Sequence, residues 1–540
     1  MNRWYEKSVI YQIYPMSFQD SNQDGIGDIG GIISRLDYLQ KLGIDILWLS
    51  PIYMSPMDDN GYDIADYYQI HPMFGTMDEF KKLLESAHEK GLKIIMDLVV
   101  NHTSDEHVWF KEALSNPRSP YRDFYVFKEN HDGQPPTNQG SFFGGSAWEL
   151  TPDQSAYYLH LFSKKQPDLN WKNEKLRHEI YKMINFWLDL GVDGFRMDVI
   201  DLIGKDIDRG IIGNGPMLHA YLQEMHLACF KGRQVLTVGE TGGVTPDLAI
   251  QFTKEGSHEM DMVFQFQHIA LDQEPHRDKW HLKPLELNDL KRVLSNWQIA
   301  LYQKGWNSLY WSNHDQPRIV SRWGDDQCYR EKSAKMFGAL LHMMQGTPFI
   351  YQGEEIAMTN IKMSNYNQLR DVEAINMYHE KSKIWDQNRV WESLNAKGRD
   401  NARTPMQWDD SLHAGFSDAT PWLEVNPNYV TINVQSSLQD ENSVFYFYQK
   451  LIQMRKTMPI VVHGAYDLVN LKDERLFCYK RIYEDQVLLI IANVSKDDVY
   501  FEGDVDQMTL VLCNEGKPQA SLLSPYEVRV YHLIRGEKNV

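Results

Sequence analysis

The stretch TMDEFKKLLESAHEKGLKIIMDLVVNH (76–102) reads as a helix, a turn and a buried strand in one sweep. Thr76 and Glu79 have the spacing of a capping box. Met77, Phe80, Leu84 and Ala87 fall on one face, and Gly91 supplies a stop. Lys93–Val100 then runs apolar on both faces, as a strand in a parallel sheet covered on both sides must. Glu174–Leu190 repeats the helix, with Leu176, Ile180, Ile184 and Trp187 on one stripe and Gly191 after it. Comparable apolar runs are Val9–Tyr14, Ile44–Leu49, Val192–Val199, Val235–Gly239, Met262–Gln267, Asn307–Ser312 and Pro348–Tyr351. Eight such strands alternating with helices predict an α/β fold, a (β/α)8 TIM barrel.

Two stretches break the pattern. From His102 to about Asp168 it gives way to Pro, Gly, Asn and aromatics, as in PPTNQGSFFGGSAW (135–148), which predicts a subdomain over 102–167 inserted after the third strand. After about Pro459 the helices stop. Short alternating runs follow at Leu476–Ile482, Val487–Val494, Met508–Cys513 and Tyr526–Leu533, so 460–540 is expected to be a C-terminal antiparallel β-sandwich domain. The barrel then comprises 1–101 and 168–459.

Charge narrows the function classes. The 540 residues carry 55 Lys and Arg against 74 Asp and Glu, a net charge of −19. Such a surface repels nucleic acid and anionic membranes and suits a neutral or cationic ligand or a metal ion. The four cysteines are dispersed, with no C-x-x-C pair, which argues against a zinc site or a disulfide scaffold and fits a reducing compartment. No apolar stretch of signal-peptide type opens the chain, and no run approaches the roughly 20 apolar residues of a membrane helix. The expected location is cytoplasmic.

In a barrel of this kind the chemistry sits at the C-terminal ends of the strands. Those ends carry Asn101-His102, Arg196 with Asp198, Glu240, and His314-Asp315. Three carboxylates at one mouth repel one another and raise the pKa of the least solvated. One acid can then stay protonated beside an ionised neighbour, which is what glycosidic cleavage needs. The same residues could instead be capping or salt-bridged groups.

The segments DLVVNHTSDEH (97–107), QPDLNW (166–171), GFRMDVIDLIG (194–204), TVGE (237–240), SNHDQPR (312–318) and GRDNARTPMQW (398–408) occur in order and at barrel spacing. Together they make the chain resemble the α-amylase family, glycoside hydrolase family 13, and within it the oligo-1,6-glucosidase and dextran glucosidase (glucan 1,6-α-glucosidase) branch. The resemblance covers essentially the whole chain. It implies a retaining, exo-acting α-glucosidase that releases glucose from short α-1,6-linked oligosaccharides, with no cofactor for the chemistry. By it Asp198 is the nucleophile, Glu240 the acid and then the base, and Asp315 the third carboxylate that holds sugar hydroxyls. Arg196, two residues before Asp198 on the same strand face, is expected to keep Asp198 ionised. His102 and His314 resemble donors to the bound sugar.

MDDNGYDIADY (57–67) resembles the family's first-subsite loop, with Tyr62 stacking on the sugar and Asp59 binding the terminal glucose in partnership with Arg399. That pair would close the non-reducing end into a pocket. Phe162 and Gln166 also match subsite positions. Val199, after the nucleophile, accompanies α-1,6 preference in similar enzymes. Where dextran glucosidases carry Trp two positions after the acid, this chain has Gly242, so short isomaltooligosaccharides are expected to be better substrates than long dextran. DSNQDGIGD (20–28) alternates oxygen donors around glycines. It is no EF-hand, since its twelfth position is Gly31, but it matches the family's structural Ca2+ loop, with Asp20, Asn22, Asp24, Asp28 and the Ile26 carbonyl as ligands. A metal-free Asx-rich turn is the alternative.

Other readings stay open. An α-1,4-glucosidase fits the same motifs. Trehalose-6-phosphate hydrolases share Val after the nucleophile but need a cationic phosphate site. Sucrose isomerases carry an arginine-bearing loop where this chain reads ALDQE (270–274). Non-catalytic transporter subunits resemble the barrel but add a membrane helix and lose the carboxylates.

Overall fold

The computed structural model describes residues 3–516, 518–519 and 521–534. The last six residues of the expected C-terminal domain lie outside them. Eight parallel strands form the central sheet: β1 Ile10–Ile13, β2 Ile46–Leu49, β3 Lys93–Val99, β4 Gly194–Asp198, β5 Leu236–Glu240, β6 Met262–Phe264, β7 Ser308–Leu309 and β8 Thr347–Tyr351. Each pairs with its sequence neighbour from β1 to β6, β7 pairs with β8, and β8 pairs with β1. A parallel bridge from Val263 to Asn307 links β6 to β7 and closes the barrel. Every residue of β2, β4, β5, β6, β7 and β8 is buried, as a sheet covered by helices requires. Gly194 opens β4 because an added Cβ would collide with the Leu236 carbonyl oxygen of β5.

The helices form where the sequence places them. Thr76 and Glu79 complete a reciprocal capping box on Met77–Glu89, which buries Phe80, Leu83, Leu84 and Ala87. Asn173 caps Glu174–Leu190, and Gly191, at φ 109°, ends it in the left-handed conformation.

Three excursions decorate the barrel. After β3, His102 bridges to Asp168 and Tyr125 to Leu169. Between these anchors lies a three-stranded antiparallel sheet of Phe127–Glu129, Ala156–Leu159 and Trp148–Leu150. After β8 comes an excursion that sequence reading folded into the barrel. Helices Val372–Lys381 and Gln387–Lys397 build a small core of their own from Ile361, Met363, Leu369, Met377, Val390 and Leu394. Their amphipathic pattern is the same as that of barrel helices, so periodicity alone does not separate them. At the C-terminal end, Ala465–Leu468, Leu476–Tyr483, Gln486–Asn493, Val528–Ile534 and Thr509–Cys513 form a five-stranded antiparallel sheet. It is tied to the barrel by buried Arg481, which donates to the Met343 carbonyl as well as to those of Val461 and Gly464 just ahead of the sheet, and by Tyr479, which donates to Leu340 O. All four cysteines are free thiols. Among the described residues no helix is long and apolar enough to cross a membrane.

Candidate active site

The C-terminal ends of β3, β4 and β5 bring Asp97, Arg196, Asp198 and Glu240 into one buried cluster. Arg196 and Asp198 alternate on β4 and point the same way. The guanidinium bonds Asp97 Oδ1 and Asp198 Oδ1 through Nη1, both at 2.6 Å, and Glu240 Oε1 through Nη2 at 2.7 Å. Its side chain is 1% exposed and lies 5.2 Å from the Trp48 ring. The second oxygen of Glu240 accepts from the Val199 amide at 3.1 Å. To offer that amide Val199 adopts φ 35°, ψ 43°, a left-handed conformation that costs a β-branched residue on the order of 1–3 kcal/mol. Strain of this kind is held only where surrounding contacts impose it, and here the contact is to a carboxylate of the cluster.

Burial sets the protonation of this group. It pushes both Asp198 and Glu240 up to about 7; Arg196 opposes it in each case, while Asp97 adds to it for Asp198 and Asp198 adds to it for Glu240. Asp97 rises to about 6 for the same first reason. The expectation that Arg196 keeps Asp198 ionised counted the charge but not the desolvation. Asp315 goes the other way. Burial is outweighed by His314, Arg399 and Arg403, which hold its carboxyl well below the usual range.

A cavity of about 650 Å3 opens above the cluster, within the size range of small-ligand sites. Asp59, Tyr62, His102, Phe162, Asp198, Val199, Glu240, Asp315 and Arg399 all line it. Arg196, Gln166 and His314 stand behind these residues. Gln166 donates to Asp59 Oδ2 at 3.1 Å and to Tyr62 O at 3.3 Å. His314 stacks on Tyr62 with ring centroids 5.2 Å apart and planes 9° from parallel. Its Nδ1 accepts from the Gln12 amide, so the proton sits on Nε2, 2.7 Å from Tyr62 OH and 3.1 Å from Asp315 Oδ2. Burial pushes His314 down to about 3 and His102 to about 4, so both rings are neutral. His102 Nε2 already faces the Tyr62 carbonyl at 3.0 Å. Phe162 packs between His102, Phe142 and Phe143.

Asp59 and Arg399, 340 positions apart, meet at 3.0 Å. More charged groups surround them than the motifs announce. Arg399 also bonds Asp371, and it reaches Asp315 at 3.4 Å and Glu373 at 3.5 Å. Arg403 bonds Asp315 at 2.9 Å and Asp371 at 3.4 Å. The R-x-x-x-R spacing within GRDNAR was a usable signal, since one helical turn puts both guanidiniums on one side. Lys279 and Glu373, paired at 2.6 Å, line the cavity too and carried no sequence motif.

In the loop at 20–28, Asp20 Oδ1 accepts from the Asn22 and Gln23 amides and Oδ2 from Gly25 N and Ser417 Oγ. Asn22 and Asp24 each accept from the amide two residues on, and Asp28 accepts from Ser21 and Gly31. Among the described residues no three His, Cys, Asp or Glu side chains stand close enough to hold a metal by themselves. The donors are hard oxygens of the kind calcium takes, and a cation here would need the Asn22 amide oxygen and the Ile26 carbonyl as well as carboxylates.

Replacing Arg196 by Met tests the electrostatic account. It strands three carboxylates, and breaking a buried pair costs roughly 3–5 kcal/mol. A carboxyl whose folded pKa lies above its unfolded value contributes fully below the unfolded value and loses that stability as pH rises through the folded one. Asp97, Asp198 and Glu240 lie at about 6 to 7 in the folded chain and rise further without the guanidinium. Urea unfolding of Arg196→Met is therefore expected to show a much larger deficit at pH 8 than at pH 5. An equal deficit at both would contradict the account.

Residues 12–464 match the α-amylase catalytic domain. The chain is 55% identical to an oligo-1,6-glucosidase of Halalkalibacterium halodurans, covering 98% of this chain and 99% of that one. It is 52% identical to a glucan 1,6-alpha-glucosidase of Streptococcus pneumoniae over 94% and 95%. The solved structure of Bacillus licheniformis trehalose-6-phosphate hydrolase superposes with a TM-score of 0.94 at 46% identity, covering 99% of this chain and 100% of that one. A closed eight-stranded barrel with carboxylates at the ends of β4 and β5, matched over nearly its whole length by such relatives, is a glycoside hydrolase, and the chain belongs to the α-amylase family.

Proposed function

We propose that this enzyme is a retaining, exo-acting α-glucosidase that removes glucose from the non-reducing ends of short α-1,6-linked glucooligosaccharides. The observation that carries the reading is the sharing of one guanidinium by Asp198 and Glu240 at a cavity that also holds the Asp59–Arg399 pair. Asp198, in its ionised form, attacks the anomeric carbon. Glu240 gives its proton to the glycosidic oxygen, the bond to the leaving sugar breaks, and a glycosyl ester forms on Asp198. Glu240, now a carboxylate, takes a proton from water, whose oxygen attacks the anomeric carbon and frees Asp198. Configuration is retained over two inversions. Asp315, fully ionised, accepts sugar hydroxyls and faces the positive charge that develops on the ring. His102, Tyr62 and Phe162 shape the glucose-binding wall, with Gln166 and His314 fixing Asp59 and Tyr62 from behind.

The linkage follows from two supports. Two relatives named for α-1,6 cleavage are 55% and 52% identical, and Val199 lines the cavity with Asp198. A phosphorylated disaccharide fits poorly. The cations lining the cavity are Lys279 and Arg399, and both are ion-paired with carboxylates. An added Cβ at Gly242 would meet only Phe266, at 3.9 Å. The leaving-group end is thus open, in keeping with short substrates. The same proposal places the enzyme in the cytoplasm, acting on imported oligosaccharides, with a structural Ca2+ held by Asp20, Asn22, Asp24, Asp28 and the Ile26 carbonyl.

Initial rates on isomaltotriose, maltotriose, sucrose and trehalose-6-phosphate, with Asp198→Asn as the blank, test the substrate. Glucose is expected chiefly from isomaltotriose, and preference for maltotriose or the phosphate ester would overturn the linkage. For the metal, EDTA is expected to lower the melting temperature and added Ca2+ to restore it, with kcat of the folded enzyme little changed. A melting temperature indifferent to both would leave the loop an Asx-rich turn.

A further inference from the structure

Asp201 is the buried acid that the mechanism leaves unused. It lines the cavity three residues beyond Asp198, with 3% of its surface exposed. Its carboxylate accepts from the Gly243 amide at 3.5 Å and from its own backbone amide, and among the described residues no cation lies within ion-pairing distance. A carboxylate taken this far out of water is normally paired or multiply hydrogen-bonded. Burial, reinforced by Glu240 and opposed by those two amides, pushes it up to about 7.

An acceptor with no partner stands beside it. Asn214 donates its backbone amide to Asp201 O at 2.9 Å and sits at φ 51°, while its side-chain oxygen is buried with no partner. Gly213, Gly242 and Gly243 line the same corner. A Cβ at Gly213 would touch the Asp201 carboxylate at 3.4 Å, and one at Gly243 would crowd the Asn214 amide nitrogen at 3.3 Å. Two of these glycines thus leave room beside a thinly bonded carboxylate and an amide whose oxygen has no partner. The corner adjoins Glu240 and Val199, whereas Asp59 and Arg399 bind the other end of the substrate.

We propose that Asp201 and Asn214 form an acceptor niche for hydroxyl groups of the leaving sugar, which makes Asp201 a specificity-determining residue for neutral, hydroxyl-rich leaving groups. The inference rests on the assignment of Glu240 to the leaving oxygen. Sugar hydroxyls donate to the Asp201 carboxylate and the Asn214 side-chain oxygen, and a phosphate or carboxylate on the same sugar is repelled. An aryl leaving group has no hydroxyl to donate and gains nothing from the niche.

The test is the ratio of kcat/KM on isomaltose to kcat/KM on 4-nitrophenyl α-glucoside. Losing a hydrogen bond to a buried charged group costs about tenfold or more. Asp201→Ala is expected to lower the ratio at least about tenfold, and Asp201→Asn, which keeps an acceptor oxygen, to recover most of it. A merely structural role would slow both substrates together, and an unchanged ratio overturns the proposal. If Asp201→Ala does not fold, half-buried Asn214→Ala gives the same readout, with a smaller fall expected and an unchanged ratio again fatal. A wild-type enzyme that cleaves maltose and not isomaltose would overturn the linkage assigned above. The niche would then be judged by the maltose ratio.

Discussion

Arg196 is the constraint on which the site depends. One guanidinium, almost wholly withdrawn from water, holds Asp97, Asp198 and Glu240 on three adjacent strands. Without a cation, three carboxylates at that depth could not coexist. With it, they are pinned on the two Nη atoms of a rigid plane, and their spacing follows from that geometry rather than from loops. The strain at Val199 belongs to the same arrangement, because its left-handed backbone turns the amide toward Glu240. The pair proposed as catalytic, Asp198 and Glu240, is therefore built into the barrel itself.

A second electrostatic centre organises the other end of the cavity. Arg399 and Arg403 face Asp59, Asp315 and Asp371, and their charge keeps Asp315 ionised while Asp198 and Glu240 hover near neutrality. Carboxylates of one type thus reach different protonation states a short distance apart because their cations differ in number and placement. The excursion after β8 supplies this centre, with Asp371 and Glu373 at the start of its first helix and Arg399 and Arg403 at its end. That explains why a segment with its own small core is part of the enzyme.

Much of this was legible in the sequence because barrel chemistry clusters at strand ends. Runs apolar on both faces marked all eight strands, and their C-terminal residues named Asp198, Glu240 and Asp315. The pairing of Asp59 with Arg399 followed from family motifs. What stayed hidden depends on three-dimensional circumstance. Arg196 bridging to Glu240 needs β4 beside β5 in register. The raised carboxyl of Asp198 needs its depth of burial, and the backbone of Val199 leaves no mark on a residue that looks like any strand valine. Lys279 and Glu373 lie far apart on segments with no motif, and Asp201 gains meaning only from the partners it lacks.

The most direct test is to trap the covalent intermediate. A 5-fluoro-α-glucosyl fluoride, whose leaving group speeds the first step and whose ring fluorine slows the second, should load one sugar per active site. Peptide mass mapping is expected to place that sugar on Asp198. A label on Asp315 or Glu240, or turnover with inverted configuration and no adduct, would contradict the account.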